Sequence, residues 1–234
     1  MQKQTITLNV NQANDMNAYV VSPDDKNLYP AIIVFQEAFG VNDHIKNVTE
    51  KISAEGYIAI APELFHRTAP AGTTMSYTNF DAVKPHMSAL TTDGLIEDIK
   101  ATYNWLQQHQ QVIKNKIGAV GFCLGGRVSF LANATLPLSA AISYYGGSLQ
   151  TITDKTKDLH APQLFFWGGL DKHILPEHRE TIIKALDDAG KEYINTVISY
   201  ADHGFNCDAR TAYNPKAAKE AWAMTLAFFK NNLV

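Results

Sequence analysis

The chain has 234 residues, of which 46% are hydrophobic, and its 20 Lys and Arg against 23 Asp and Glu give a formal net charge of −3. No basic run is present to meet a phosphate backbone, the longest apolar runs (such as 31–35) are too short to span a bilayer, and residues 1–5 lack the apolar stretch of a secretory signal. Nucleic acid and membrane are therefore excluded as partners, and the expectation is a cytoplasmic protein, a monomer or small homo-oligomer, with residues 1–234 forming one domain large enough to fold without staples.

Two short β-rich segments, 5–10 and 16–21, come first, and a turn cluster at 23–27 separates them from a strand at 30–35. The run from Ala31 to Phe35 is continuously apolar, as expected of a strand buried on both faces. A helical pattern over 44–55 precedes a short strand at 58–60. Residues 66–91 then show weak periodicity around Pro70, Gly72 and Pro85, and two readings stay open: a lid or binding loop, or an ordinary surface loop.

Over 93–108 a helix places Leu95, Ile96, Ile99, Tyr103 and Leu106 on one face, with Thr91 or Thr92 as the N-cap. A strand at 117–120 runs into Gly121-Phe122-Cys123-Leu124-Gly125-Gly126, where helical periodicity starts at once. Beyond it, 140–145 and 163–167 read as strands, 176–189 as a helix stopped by Gly190, 193–198 as a strand and 215–230 as a closing helix. This alternation predicts an α/β fold: a mainly parallel, doubly wound sheet with helices on both faces and ligands at the carboxyl ends of its strands.

The glycine-framed Cys123 carries the chemistry. A strand, a glycine-flanked residue and a helix in that order form a nucleophile elbow, in which the turn lifts the nucleophile out of the sheet and the helix N-terminus favours negative charge. Otherwise Cys123 is a small buried hydrophobe. A thiol nucleophile needs a base and an acid that orients the base. Asp171 follows the strand at 163–167 and His203 follows the strand at 193–198, so the chain order is nucleophile, acid, histidine, as in α/β-hydrolases. A helix cap is the alternative for Asp171 and a surface loop for His203, while Asp202 and His173 compete from less apt positions.

After the first central strand come Glu37 and Ala38. The loop at this place in α/β-hydrolases offers one backbone N–H to an oxyanion, which points to Ala38 and, after the nucleophile, Leu124. A buried Glu37 is costly unless it takes part in the chemistry or is paired, for instance with Arg67 or a rim lysine. Cys123 and Cys207 are the two cysteines, and the elbow context argues against a disulfide between them. No H-E-x-x-H or C-x-x-C occurs and no G-x-G-x-x-G follows the first central strand, so neither a metal nor another cofactor is expected.

Taken together, the segment 36–42 (Gln36-Glu37-Ala38-Phe39-Gly40-Val41-Asn42), the segment 54–65, the elbow at 121–126, Asp171 and His203-Gly204-Phe205 strongly resemble the dienelactone hydrolase family over nearly the whole chain. The resemblance implies an α/β-hydrolase fold and hydrolysis of enol-lactones such as 4-carboxymethylenebut-2-en-4-olide to maleylacetate. It implies Cys123 as nucleophile, His203 as base, Asp171 as its orienting partner, and Glu37 as a carboxylate that holds the resting thiol until substrate displaces it.

Family members that cleave dienelactone bind the substrate carboxylate with arginines before the long helix and just after the histidine. Here those regions offer Lys84 and His86, then Cys207 with Arg210 nearby. Arg210 is either a substitute or a surface charge. Tyr77, Phe80, Tyr144 and Tyr145 are candidates for an apolar acyl pocket or for plain core. The expected activity is carboxylic-ester or lactone hydrolysis through an acyl-thioester. The alternative is a catalytically idle relative that binds a small acid or senses oxidants through Cys123.

Overall fold

The computed structural model describes residues 1–11 and 14–234. Its strands are β1 (Gln2–Asn11), β2 (Asn14–Ser22), β3 (Tyr29–Phe35), β4 (Ile58–Pro62), β5 (Val112–Phe122), β6 (Ala140–Tyr144), β7 (Gln163–Gly168) and β8 (Tyr193–Ile198). They form one eight-stranded sheet in the order β1-β2-β4-β3-β5-β6-β7-β8. The first two strands pair antiparallel, β2 pairs antiparallel with β4, and every neighbour from β4 through β8 is parallel.

Period-two alternation in β3 divides the interior. Ile32 and Val34 pack on one face with Ile45, Val48 and Ile52 of α1 (Asp43–Ala54), whereas Ala31, Ile33 and Phe35 pack on the other with Leu95, Ile99 and Leu106 of the long helix after residue 91. Both faces are covered, which is why β3 reads as an unbroken apolar run.

The weakly periodic stretch 66–91 contains a short helix, α2 (Phe80–Ser88), whose one buried residue, Val83, packs on Ala38 and Phe39. A helix burying one side chain leaves no apolar stripe to detect. Ahead of it, Met75 N donates to Phe39 O (3.1 Å) and Asn42 Nδ2 to the Tyr77 hydroxyl (2.8 Å), so the segment is fastened over the loop that carries Glu37.

The long helix α3 (Thr92–Gln108) is capped by Thr91, whose Oγ1 accepts from Gly94 N. Then come α4 (Leu124–Thr135), a 3₁₀ segment at Leu149–Asp158 that the periodicity did not signal, α5 (Pro176–Asp188) and α6 (Pro215–Leu233). Among the described residues no helix is long and apolar enough to cross a membrane.

Candidate active site

The site lies at the carboxyl ends of β3, β5, β7 and β8. Cys123, between β5 and α4, has φ 54° and ψ −114°, a conformation costly for a non-glycine residue and held here by its surroundings. Two glycines permit that turn. A Cβ on Gly121 would stand 1.8 Å from Gly125 O, and one on Gly125 would stand 2.2 Å from Phe35 O. Cys123 N donates to Tyr144 O (3.0 Å), while the N–H groups of Ala38 and Leu124 have no protein acceptor among the described residues.

Asp171 follows β7 and His203 follows β8. The Asp171 carboxylate is tied on both oxygens: Oδ1 accepts from His173 N (2.7 Å) and Ile174 N (3.1 Å), and Oδ2 lies 2.8 Å from His203 Nδ1. The other ring nitrogen, Nε2, stands 3.1 Å from Cys123 Sγ. With Nδ1–H donating to the carboxylate, Nε2 is left to accept from the thiol. The two competitors have other places. Asp202 accepts from the backbone N–H of His203 (2.6 Å), and the His173 ring sits edge-on to His203 at 5.4 Å.

Electrostatics follow this geometry. Burial opposes charge on His203, but the Cys123 sulfur and then the Asp171 carboxylate outweigh it and raise the pKa of the ring to about 10. Burial likewise pushes Asp171 upward, yet the hydrogen bond and charge of His203, with the N–H groups of His173 and Ile174, hold it below its usual value. The ring is thus suited to take the thiol proton.

Glu37 is fully buried, and burial raises its pKa against the pull of Arg210 and His203. Its Oε1 meets Arg210 Nη1 at 3.3 Å, and its Oε2 has no hydrogen-bond partner. The thiol faces His203 instead, so Glu37 does not hold the sulfur in this arrangement, contrary to the expectation. Its partner is also not Arg67, which binds Asp98 and Glu97.

Arg210 proves to be a half-buried charge at the site, with its guanidinium 5.8 Å over the Phe39 ring. Gly204, at φ +81°, lets it pass: a Cβ there would lie 2.3 Å from Arg210 Nη1.

Three other candidates fall away from the triad. Lys84 pairs with Asp81 on an exposed helix face (2.7 Å), and His86 Nδ1 bonds to Thr68 Oγ1 (2.8 Å) with its ring against Phe65. Tyr144 is a core residue: its buried hydroxyl bonds to Thr225 Oγ1 (2.7 Å) and its ring packs on Phe122 and Phe166, because an inward position in β6 points beneath the site. Its neighbour Tyr145, at φ 38°, is the one that reaches the site, with its ring centroid 5.2 Å from that of His203.

Cys207 is a free buried thiol whose S–H points to the Tyr77 hydroxyl at 3.2 Å. His44, in the first turn of α1, also comes close to Glu37 and Cys207, a convergence that no spacing in the sequence signals.

Comparison with known proteins places this arrangement among relatives. The profile of the Dienelactone hydrolase family matches residues 16–233. A Yersinia pestis protein bearing the name "Putative carboxymethylenebutenolidase" is 34% identical over 93% of this chain and 84% of its own length. A Synechocystis protein of the same name is 34% identical over 99% of this chain and 98% of its own length. The crystal structure of a "Putative Dienelactone Hydrolase" from Klebsiella pneumoniae is 30% identical, covers 98% of this chain and 99% of its own, and superposes with a TM-score of 0.86.

Proposed function

Because this chain belongs to the dienelactone hydrolase family, we propose that it hydrolyses a small carboxylic ester or lactone with Cys123 as the nucleophile, His203 as the general base and Asp171 as the group that orients the base. The observation that carries this reading is the unbroken relay from sulfur to imidazole to carboxylate, 3.1 Å and then 2.8 Å.

In the forward step, the thiol proton passes to His203 Nε2, whose affinity for it the sulfur and Asp171 raise, and the sulfur attacks the acyl carbon. The oxyanion forms where the Ala38 and Leu124 N–H groups stand without protein acceptors, donors suited to a charge that exists only in the transition state. The imidazolium then protonates the departing alkoxide, which in a lactone stays attached to the acyl-thioester. Water, deprotonated by His203, resolves the thioester and regenerates the thiol.

Arg210, which couples electrostatically to Cys123 and Glu37, is a cation available to a substrate carboxylate. The name these relatives bear, carboxymethylenebutenolidase, describes a lactone that carries one, which favours acidic lactones over neutral esters. To serve, the guanidinium must share its interaction between Glu37 and the substrate.

The experiment is turnover of p-nitrophenyl acetate and of a lactone panel with and without a free carboxylate, by wild type and Cys123→Ala. The expected result is hydrolysis that the variant abolishes. Undiminished turnover in Cys123→Ala would sink the nucleophile assignment. Thermal stabilisation by ligands that are never hydrolysed would favour an idle, acid-binding relative instead.

A further inference from the structure

Beside the triad lies a second group of buried polar atoms. A carboxylate oxygen of Glu37, a ring nitrogen of His44 and the sulfur of Cys207 all lie within 4.8 Å of one another. They come from the loop after β3, the first turn of α1 and the loop after β8. Two atoms on these residues are orphans: Glu37 Oε2 and His44 Nε2 are buried and have no hydrogen-bond partner. Their side chains are 0% and 7% exposed, so water does not readily compensate them. Buried polar atoms are nearly always satisfied, and two orphans on neighbouring residues leave donors free for a partner that could take both.

We propose that Glu37, His44 and Cys207 form a binding site for a divalent cation of the zinc class. One carboxylate oxygen, one imidazole nitrogen and one thiolate make a borderline-soft donor set, the kind that takes zinc rather than calcium or magnesium, which prefer oxygen alone. Zinc bonds of about 2.0–2.3 Å put tetrahedral donors roughly 3.5 Å apart. Donors already within 4.8 Å reach that spacing by side-chain rotations of little more than about an ångström.

The surroundings fit. Asp208 Oδ1 stands 3.8 Å from His44 Nδ1, longer than a hydrogen bond, so a carboxylate lies on the Nδ1 side of the ring and the orphaned Nε2 is the nitrogen left for the metal. A cleft of about 330 Å³ lined by Asn42, His44, Tyr77 and Asp208 opens on the His44 side of these donors.

Protonation states fit as well. His44 faces Asp208, Lys51 and Arg210, and burial lowers its pKa to about 4, which keeps the imidazole neutral as a ligand must be. Cys207 faces Glu37, Tyr77 and Arg210, and burial pushes its thiol up to about 11, so the metal must displace one proton to solvent as the sulfur–metal bond forms. Arg210 occupies Oε1 of Glu37 and leaves Oε2 for the cation.

The test uses full-length Cys123→Ala, in which Cys207 is the sole thiol, titrated with Zn²⁺ alone by calorimetry and with Co²⁺ alone by absorption. The expected results are one equivalent of Zn²⁺ bound and a sulfur-to-cobalt charge-transfer band. His44→Gln and Cys207→Ser in the same background should each weaken Zn²⁺ by at least about tenfold, and Asp208→Asn by about tenfold.

The proposal is overturned if Cys123→Ala binds no stoichiometric Zn²⁺, or if affinity is unchanged in folded His44→Gln or Cys207→Ser, with circular dichroism reporting the fold. Should one of these variants unfold, the other decides. Binding is read with the nucleophile removed, so a failure here leaves the hydrolase reading untouched.

Discussion

Two buried histidine–aspartate pairs stand at different places in this fold. At the carboxyl ends of β7 and β8, His203 Nδ1 meets Asp171 at 2.8 Å; between the loop after β4 and α3, His66 Nε2 meets Asp98 at 3.0 Å. Both carboxylates are almost wholly buried, and by distance alone the pairs are near equivalents.

They part at the second ring nitrogen. His203 presents Nε2 to a thiol held by a strained elbow, whereas His66 donates Nδ1 to the main-chain oxygen of Asp15 (3.1 Å) while Arg67 Nη1 binds the same Asp98 (2.9 Å). The His66 ring is fully occupied in tying β2, the loop after β4 and α3 together. A histidine–aspartate pair is therefore a positioning device, and what it does depends on what the free nitrogen faces.

The largest effect should separate the pairs by turnover. His203→Ala and Asp171→Asn should each lower kcat for p-nitrophenyl acetate by about 10⁴-fold, the scale of losing a base or its correct tautomer. His66→Ala should leave kcat within about threefold. Equal losses at the two histidines would break the contrast, because both would then act on activity through the fold.

Stability should show the reverse preference. His66→Ala removes a ring bonded on both nitrogens and leaves Asp98 to Arg67 alone, a loss of about 2 kcal/mol in urea unfolding. A change under about 0.5 kcal/mol would mean that the network is solvated surface, within the range of ordinary surface substitutions.

The first pair was legible in the sequence and the second was not, for a physical reason. Cys123, Asp171 and His203 each sit just past an apolar strand, and parallel strands deliver their carboxyl ends to one place, so local patterns suffice to bring the three together. His66 and Asp98 lie in a loop and on a helix whose meeting depends on how α3 packs, which no local pattern encodes. The same holds for Glu37. Its burial followed from the apolar strand before it, but its pairing with Arg210 required the loop after β8 to fold back past Gly204. Tyr144 and Tyr145 were adjacent candidates, and the strand's alternation sends the first into the core.

A smaller, sharper contrast concerns proton affinity. The Cys123 sulfur is the leading influence raising His203 to about 10, so Cys123→Ala should bring the ring's titration down, followed by the imidazole proton resonance. An unshifted His203 titration in the variant would mean that Asp171 alone holds the proton.

The smallest expected effect follows from the same coupling, and its sign can be worked out. His203 has a folded pKa of about 10 raised chiefly by the charge of the Cys123 sulfur, so the Cys123–His203 pair keeps one proton up to about 10 that an unfolded thiol gives up near ~8.5. The resulting stabilisation is fully present below about pH 8.5 and disappears as pH rises through about 10.

Cys207 adds to this alkaline loss, since its buried thiol keeps a proton up to about 11 while an unfolded thiol ionises near ~8.5. Asp171 works at the other end: its lowered folded pKa stabilises above about pH 3.9 and that contribution is lost as pH falls. Tm should therefore decline between about pH 8.5 and 10, and Cys123→Ala should flatten the decline by lowering the proton affinity of His203. An alkaline limb of the same slope in Cys123→Ala would place the titrating group elsewhere, with Cys207 the next to test by Cys207→Ser.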